Sequence, residues 1–234
     1  MEHSAKTMNS NLKLTNRDRS VLMKTPFLTG LSTNSTLRML SAMSVVNLAT
    51  RHSIFREGEK ATLFYCVLSG YVRLYRLSPE GREADIRICG PGDTFAECLL
   101  YGEDAYPYHS QAAENATLAT FDIQMVREIA SEETDVAQAV MMILSRHLLN
   151  TMNCVANDRL FTAPQRVAKY ILEHCPVDGG PASIRLPFQK SLLAGMLGLA
   201  PEALSRAFST LRKSGVTVRG RAIQVVDVAN LRNI

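Results

Sequence analysis

The sequence contains no apolar run that approaches the ~18 residues needed for a membrane-spanning helix. Its first segment, Met1 to Asn16, is polar and has no hydrophobic stretch of the kind that secretory signals carry. Hydrophobic residues make up 46% of the 234 and charged residues 21%, a balance typical of globular proteins of one or two domains. We therefore expect a cytoplasmic protein with a loose N-terminal arm and no membrane partner.

Cysteine is scarce and lacks the spacing of a metal or disulfide framework. The five cysteines are spread widely and no C-x-x-C pair occurs, which argues against a zinc module and a disulfide scaffold. Mostly buried thiols in a reducing compartment are expected. H-x-H pairs are absent as well, whereas a barrel-type metal-dependent enzyme needs several histidines and a carboxylate in one place. Such an enzyme is only a remote alternative.

Acidic residues are few at the C-terminal end. Between Leu160 and Ile234 there are ten lysines and arginines but only four carboxylates, a net charge of +6 in a chain whose total is +4. The remainder of the chain is slightly acidic. A basic third beside an acidic body predicts a polyanionic partner for that third alone.

The segment Gln189 to Leu211 has the pattern of two short helices with a tight break. Apolar residues recur at helical spacing before a glycine, and Pro201 suits the first turn of the next helix. Leu204, Phe208 and Leu211 make the apolar stripe of that second helix, whose other faces are polar. The pattern is typical of a helix-turn-helix, whose second helix enters the major groove of DNA. An ordinary helical hairpin is the alternative.

A small hairpin is predicted directly after these helices. Residues 216–218 and 222–226 alternate around the basic tip Arg219-Gly220-Arg221. A helix-turn-helix followed by such a hairpin is a winged helix, and the tip arginines lie where a phosphate backbone would pass.

Upstream, the chain predicts a β-barrel and one long helix. Between Arg51 and Asp122 many short alternating segments are separated by Gly/Pro turns, which is typical of a sandwich or jelly-roll barrel. From Thr134 to about Leu160 a helical pattern without Gly or Pro carries two apolar stripes, one for the barrel and one for a second copy of the chain. A helix buried within one chain is the alternative. The predicted dimer-interface residues are Val140, Leu144, His147, Leu148, Thr151 and Val155.

In this order of parts the chain resembles the Crp/Fnr superfamily of bacterial transcription regulators, over nearly its whole length. The resemblance is carried by residues 64–74, by residues 90–97 and by Glu202-x-x-Ser205-Arg206. Residues 77–81 and 95–97 are most similar to the nitric-oxide-responsive Dnr/NnrR branch.

The resemblance implies an α+β chain with three functional parts. They are an effector-sensing, cyclic-nucleotide-type jelly-roll barrel with its N-terminal arm and helices (1–133), a dimerisation helix (134–160) and a winged helix-turn-helix (161–234). It also implies a sequence-specific regulator that binds palindromic, TTGA-like double-stranded DNA as a homodimer and contacts RNA polymerase. A regulator that binds a cyclic nucleotide or another small molecule is the alternative function.

The same resemblance assigns roles at the DNA. Glu202, Ser205 and Arg206 match the Fnr-type reading triad. Arginine presents two donors to guanine and a carboxylate accepts from cytosine, so the chemistry agrees. The residues expected to contact phosphate, which position rather than specify, are Lys190, Ser191, Ser209, Lys213, Arg219 and Arg221.

The sequence does not identify the effector that the barrel binds. The expected pocket residues are Arg73, Phe95, Ala96, Glu97, Tyr106, Tyr108 and His109. Cyclic AMP is disfavoured, because Pro107 and Tyr108 replace the Arg-Ser pair that clamps the cyclic phosphate in the family, and a buried anion without a cation is costly. An iron–sulfur cluster is disfavoured too, since no cysteine precedes Cys66. Haem remains a candidate cofactor, and its candidate axial ligands are His3, His52, His109 and His147. A redox role for Cys98, Cys154 or Cys175 is also open.

Overall fold

The computed structural model describes residues 14–234, which form two compact units, one ending at Leu149 and the other spanning Asn150–Ile234. The boundary lies inside the long helix rather than at one of its ends. Most of the predicted N-terminal arm, including His3, lies outside the described residues. Within residues 14–234, no helix is both long and apolar enough to cross a membrane.

The first unit is built on eight antiparallel strands. They are β1 (Met43–Leu48), β2 (Ser53–Phe55), β3 (Leu63–Ser69), β4 (Val72–Leu77), β5 (Glu83–Cys89), β6 (Thr94–Phe95), β7 (His109–Ala112) and β8 (Ala116–Asp122). One sheet has the order β1-β8-β3-β6 and the other β2-β7-β4-β5. Side chains from both sheets join one hydrophobic core, which confirms the predicted barrel.

Three helices close the barrel around an aromatic core. They are α1 (Asn16–Met23), α2 (Thr33–Ser41) and α3 (Ile123–Glu132). Phe27, between α1 and α2, meets the rings of Phe64 and Phe121 edge-on at centroid distances of 5.3 and 5.4 Å. Such edge contacts between buried rings are favourable beyond the area they bury.

The hairpin of β4 and β5 departs from simple alternation. Its turn forms as expected, with the Gly81 amide donating to Ser78 at 2.9 Å and Gly81 at φ +78°. Ile86 and Ile88 are spaced to share one face of a strand, yet Ile86 is 53% exposed and Ile88 is buried. A register shift opposite Leu74 and Tyr75 inserts Ile86 as an extra residue, and such a bulge inverts the sides on which its neighbours lie.

The long helix α4 (Thr134–Leu160) has two distinct apolar sides. Val136, Val140 and Ile143 are buried in the barrel core, and Leu144 is half-buried against it. The prediction of Val140 as a dimer residue is therefore wrong, because at 3.6 residues per turn it lies on the same side as Val136 and Ile143. A second set of apolar side chains is 45–63% exposed, and we call it the open stripe: Met141, Leu148, Met152 and Val155.

The second unit contains the predicted winged helix and one strand that the sequence patterns missed. Its elements are α5 (Ala163–His174), β9 (Ala182–Arg185), α6 (Lys190–Met196), α7 (Pro201–Leu211), β10 (Val216–Arg219) and β11 (Ala222–Val225). The sheet order is β10-β11-β9. Its core is formed by Val167, Ile171, Leu193, Leu204, Phe208, Leu211 and Ile223.

Candidate functional site

The exposed side of α7 presents the residues expected to read DNA. Leu204, Ala207, Phe208 and Leu211 are buried, which turns Glu202, Ser205, Arg206 and Ser209 to solvent. No ion pair or side-chain hydrogen bond within residues 14–234 engages the Glu202 carboxylate or the Arg206 guanidinium. One acceptor and one two-donor group, a helical turn apart, are thus available to a partner.

The wing is the hairpin of β10 and β11, and its two arginines differ in their contacts. Val218 pairs with Ile223, and Arg219 pairs with Ala222, so the tip is Gly220-Arg221 with Gly220 at φ +59°. Arg219 is exposed. The Arg221 guanidinium donates to the Pro187 carbonyl at 3.2 Å, so this side chain is turned back toward the loop before α6.

The remaining predicted phosphate contacts lie on two sides of α7. Lys190 begins α6, and its ammonium lies 5.1 Å from the centre of the Phe208 ring. The Ser209 hydroxyl donates to the Ser205 carbonyl at 3.1 Å. Ser191 and Lys213 are exposed, the latter on the short turn Arg212–Ser214 that follows α7.

The turn between α6 and α7 is fixed by an arginine that the sequence patterns did not single out. Arg166, on α5, donates to the Leu197 carbonyl at 3.0 Å and pairs with Asp158 on the last turn of α4. Its side chain is 15% exposed. The arrangement joins the end of the long helix to the turn of the helix-turn-helix.

Within the barrel, five of the expected pocket residues lie close together. The Tyr106 ring stacks on Phe55 at 3.7 Å, and the Phe95 ring is in turn 6.2 Å from Phe55. The Ala96 amide donates to the Tyr108 hydroxyl at 3.1 Å, with Ala96 in the left-handed region at φ +65°. Burial raises the pKa of the Tyr108 hydroxyl, so it stays protonated and retains a donor.

Glu97 is the buried charge of this region. It is 3% exposed; His147 Nδ1 contacts its Oε1, and no group within the described residues donates to its Oε2. Arg87 lies beside the pair, 3.5 Å from His147 Nδ1, and donates to the Thr94 carbonyl at 3.1 Å. His147, predicted at the dimer interface, therefore faces the barrel.

Arg73 and His109 do not join this cluster, and their placement in the effector pocket is wrong. Strand alternation puts Arg73 on the face opposite the buried Val72 and Leu74, where it pairs with Asp85 and Glu83. His109 stacks on Tyr75 at 5.1 Å on the same outer face. Arg87 lies beside the Glu97–His147 pair instead, because strand register places it opposite the buried Leu74.

The cysteines and histidines among residues 14–234 differ in burial and do not cluster. Cys66 and Cys89 are buried, and burial raises the pKa of each thiol to about 12. Cys98 and Cys154 are exposed. His52 is exposed as well. Among residues 14–234, no three potential ligands of the His, Cys, Asp and Glu types converge on a point.

Comparison with known proteins agrees with this architecture. Residues 45–133 match the cyclic nucleotide-binding domain and residues 165–234 the Crp-like helix-turn-helix domain. The nitrogen fixation regulation protein FixK of Rhizobium meliloti is 30% identical over 77% of this chain and 82% of its own. The CRP-like cAMP-activated global transcriptional regulator of Mycobacterium tuberculosis is 23% identical over 90% and 96%. The crystal structure of DNR from Pseudomonas aeruginosa superposes with a TM-score of 0.53 at 28% identity, covering 95% and 99%.

A barrel of the cyclic nucleotide-binding type, a long helix and a winged helix in one chain define a class of DNA-binding transcription regulators. The chain belongs to the Crp/Fnr family of that class.

The Glu97–His147 contact should contribute measurably to the stability of the barrel. Replacing His147 by alanine leaves a buried carboxylate without its donor, which should lower the free energy of unfolding by about 1–3 kcal/mol. Adding Glu97→Gln should recover most of that loss, since a neutral amide is less costly to bury. Urea denaturation followed by tyrosine fluorescence measures both. His52→Ala, at an exposed imidazole, is the matched control; strictly additive losses in the double variant would contradict the coupling.

Proposed function

We propose that this chain is a sequence-specific regulator that binds a palindromic, TTGA-like DNA site as a homodimer. The observation that carries the proposal is the pair Glu202 and Arg206, unengaged and exposed on adjacent turns of α7. A guanidinium donates two hydrogen bonds to one guanine, and a carboxylate accepts from cytosine. Together they suit one G·C pair, or two neighbouring pairs, in each half-site.

The parts of the chain divide the work in this proposal. Residues 1–133 sense a signal, residues 134–160 pair two copies, and residues 161–234 bind DNA. By name, one relative is a global transcriptional regulator and another a nitrogen fixation regulation protein, which supports a regulator rather than an enzyme. The protein would act where bacterial DNA lies, in the cytoplasm, with RNA polymerase as its further partner.

The open stripe supports dimerisation through α4. Leu148 and Met152 are 63% and 59% exposed, one turn apart on the same side of α4. Apolar side chains aligned over several turns are the usual seam between two helices. Of the residues predicted from the sequence, Leu148, Thr151 and Val155 are the exposed ones, and they form this seam together with Met152.

For the signal, resemblance to the Dnr branch makes nitric oxide or redox sensing through haem the hypothesis to test. DNR itself is similar in fold to this chain. The described histidines fit an axial ligand poorly: His109 stacks on Tyr75, and His147 contacts Glu97. The visible spectrum of the purified protein before and after addition of haemin distinguishes a haem protein from one that binds another effector.

We predict that removing the Arg206 side chain reduces the preference for guanine at one position of the half-site. Arg206→Ala should cost about 1–3 kcal/mol per half-site, and the cost should fall mainly on duplexes that keep the guanine. Binding is measured on a panel of single-base variants of the site. Lys190→Ala is the comparison: it should weaken every duplex alike and lower the salt slope by about one unit. Equal losses on all duplexes for Arg206→Ala would show that the arginine contacts only phosphate.

The dimer prediction concerns the open stripe. Leu148→Glu with Met152→Glu should raise the dimer dissociation constant at least about a hundredfold, because two carboxylates would have to be buried in an apolar seam. DNA affinity should fall with it. Sedimentation velocity measures the association, and Asn153→Glu, an exposed change off the stripe, is the control. A wild-type chain that is monomeric at micromolar concentration yet binds DNA fully would overturn the idea.

We predict that the barrel binds cyclic AMP only weakly, although one relative is cAMP-activated by its name. The Tyr108 hydroxyl already accepts from the Ala96 amide, and Arg87 is engaged with Thr94 and Asp93. We expect a Kd above about 1 µM by calorimetry. Sub-micromolar binding that Arg87→Gln abolishes would show that Arg87 serves as the phosphate clamp instead.

A further inference from the structure

A small polar cavity of about 100 Å³ lies beside the recognition helix, between the start of α6, α7 and β10. Its polar lining comes from Lys190, Ser205, Ser209 and Arg212. The buried ring of Phe208 and the side chain of Val216 form its apolar floor. Four elements of the second unit, namely α6, α7, the turn Arg212–Ser214 and β10, therefore contribute to one site.

The cavity is lined by cations and by no carboxylate. Lys190 and Arg212 are its two charged side chains. No ion pair within residues 14–234 neutralises either of them. The Phe208 ring holds the Lys190 ammonium 5.1 Å from its centre, over the floor. Two positive groups held together without a counter-charge favour an anion between them.

The dimensions and donors suit one tetrahedral oxyanion. A volume of 100 Å³ is that of about three or four waters, roughly the room a phosphate group needs. Arg212 offers a planar pair of donors and Lys190 a point charge. The Ser205 hydroxyl adds a neutral donor, whereas the Ser209 hydroxyl already donates to the Ser205 carbonyl.

Helix geometry places this cavity beside the reading side chains rather than among them. Ser205 and Ser209 follow one line of α7, and Arg212, just past its end with helical backbone, continues that line. Glu202 and Arg206 follow a neighbouring line about 70° further round, at 3.6 residues per turn. A helix lying in the major groove directs one line at base edges and the next at a bordering backbone. Both contacts can form at once.

We propose that this cavity binds one phosphodiester of the DNA backbone in each half-site, with Arg212 and Lys190 as its charged donors and Ser205 as its hydroxyl donor. The inference rests on the proposed function and deepens it. It assigns Arg212 to the DNA interface and moves Ser205 from reading bases to fixing the position of the helix.

The test combines protein variants with modified DNA. Arg212→Gln should weaken binding about tenfold or more on every duplex of a single-base panel and lower the salt slope by about one unit per lost contact. On wild-type protein, a neutral methylphosphonate at one position of each half-site should cause a similar loss. That loss should vanish in Arg212→Gln, because the contact is already gone.

Matched variants keep the test specific. Arg212→Lys retains the charge and should keep the salt slope of the wild type. Arg232→Gln removes one positive charge at an exposed pair with Asp178 and should leave the methylphosphonate profile unchanged. Ser205→Ala should weaken all duplexes alike. Equal melting temperatures of Arg212→Gln and wild type verify folding.

Several outcomes overturn the inference. One is an Arg212→Gln variant with the methylphosphonate profile and salt slope of the wild type. Another is a Ser205→Ala variant that loses preference at a single base. Free phosphate is the alternative ligand, and calorimetry with inorganic phosphate alone tests it. Suppose that Arg212→Gln abolishes tight phosphate binding but leaves the methylphosphonate profile of DNA binding unchanged. The cavity would then be a site for free phosphate. Binding of duplexes by the wild type without sequence preference would contradict the proposed function instead. The difference in salt slope between the wild type and Arg212→Gln would still test the cavity.

Discussion

The long helix carries apolar side chains on two sides, and its own barrel can bury only one of them. Val136, Val140 and Ile143 are in the core, and their burial at roughly 1.5–3 kcal/mol each ties the helix to the sheets. The open stripe remains exposed over several turns. An uncovered apolar surface of this length is unusual on a monomer. Covering this stripe is what the second copy of the proposed dimer would supply.

The buried side of the same helix brings a charge into contact with the barrel. His147 follows Ile143 by one turn and meets Glu97, a carboxylate that is 3% exposed with one oxygen lacking a donor among the described residues. A buried carboxylate depends strongly on each of its few partners. His147 contacts only Oε1, so a further donor could be accepted at Oε2 without displacing the helix.

The sequence predicted the helices and strands better than it predicted which surfaces they pack against. Helical spacing was sufficient for α4, α6 and α7, since each has an apolar stripe of its own, and the hairpin tip at Gly220 followed from alternation. Periodicity could not show which surface covers a stripe, so Val140 was assigned to a partner chain instead of the barrel. Arg73 was misjudged for another reason. It lies between the buried Val72 and Leu74, and alternation along β4 turns it to the outer face, where it pairs with Asp85 and Glu83.

At the DNA-binding end, precision depends on one glycine and one arginine. Gly198 ends α6 at φ +62°, and a side chain there would lie 3.2 Å from the Asp158 carboxylate. The same carboxylate pairs with Arg166, which donates to the Leu197 carbonyl. The turn is thus attached to the last turn of α4, and the left-handed backbone of Gly198 favours glycine at this position. Because Glu202 and Arg206 begin only a few residues later on a rigid helix, the direction of their side chains is set by the end of α4. In the proposed dimer, pairing through α4 would then set the distance between two recognition helices, which is the property that a palindromic site requires.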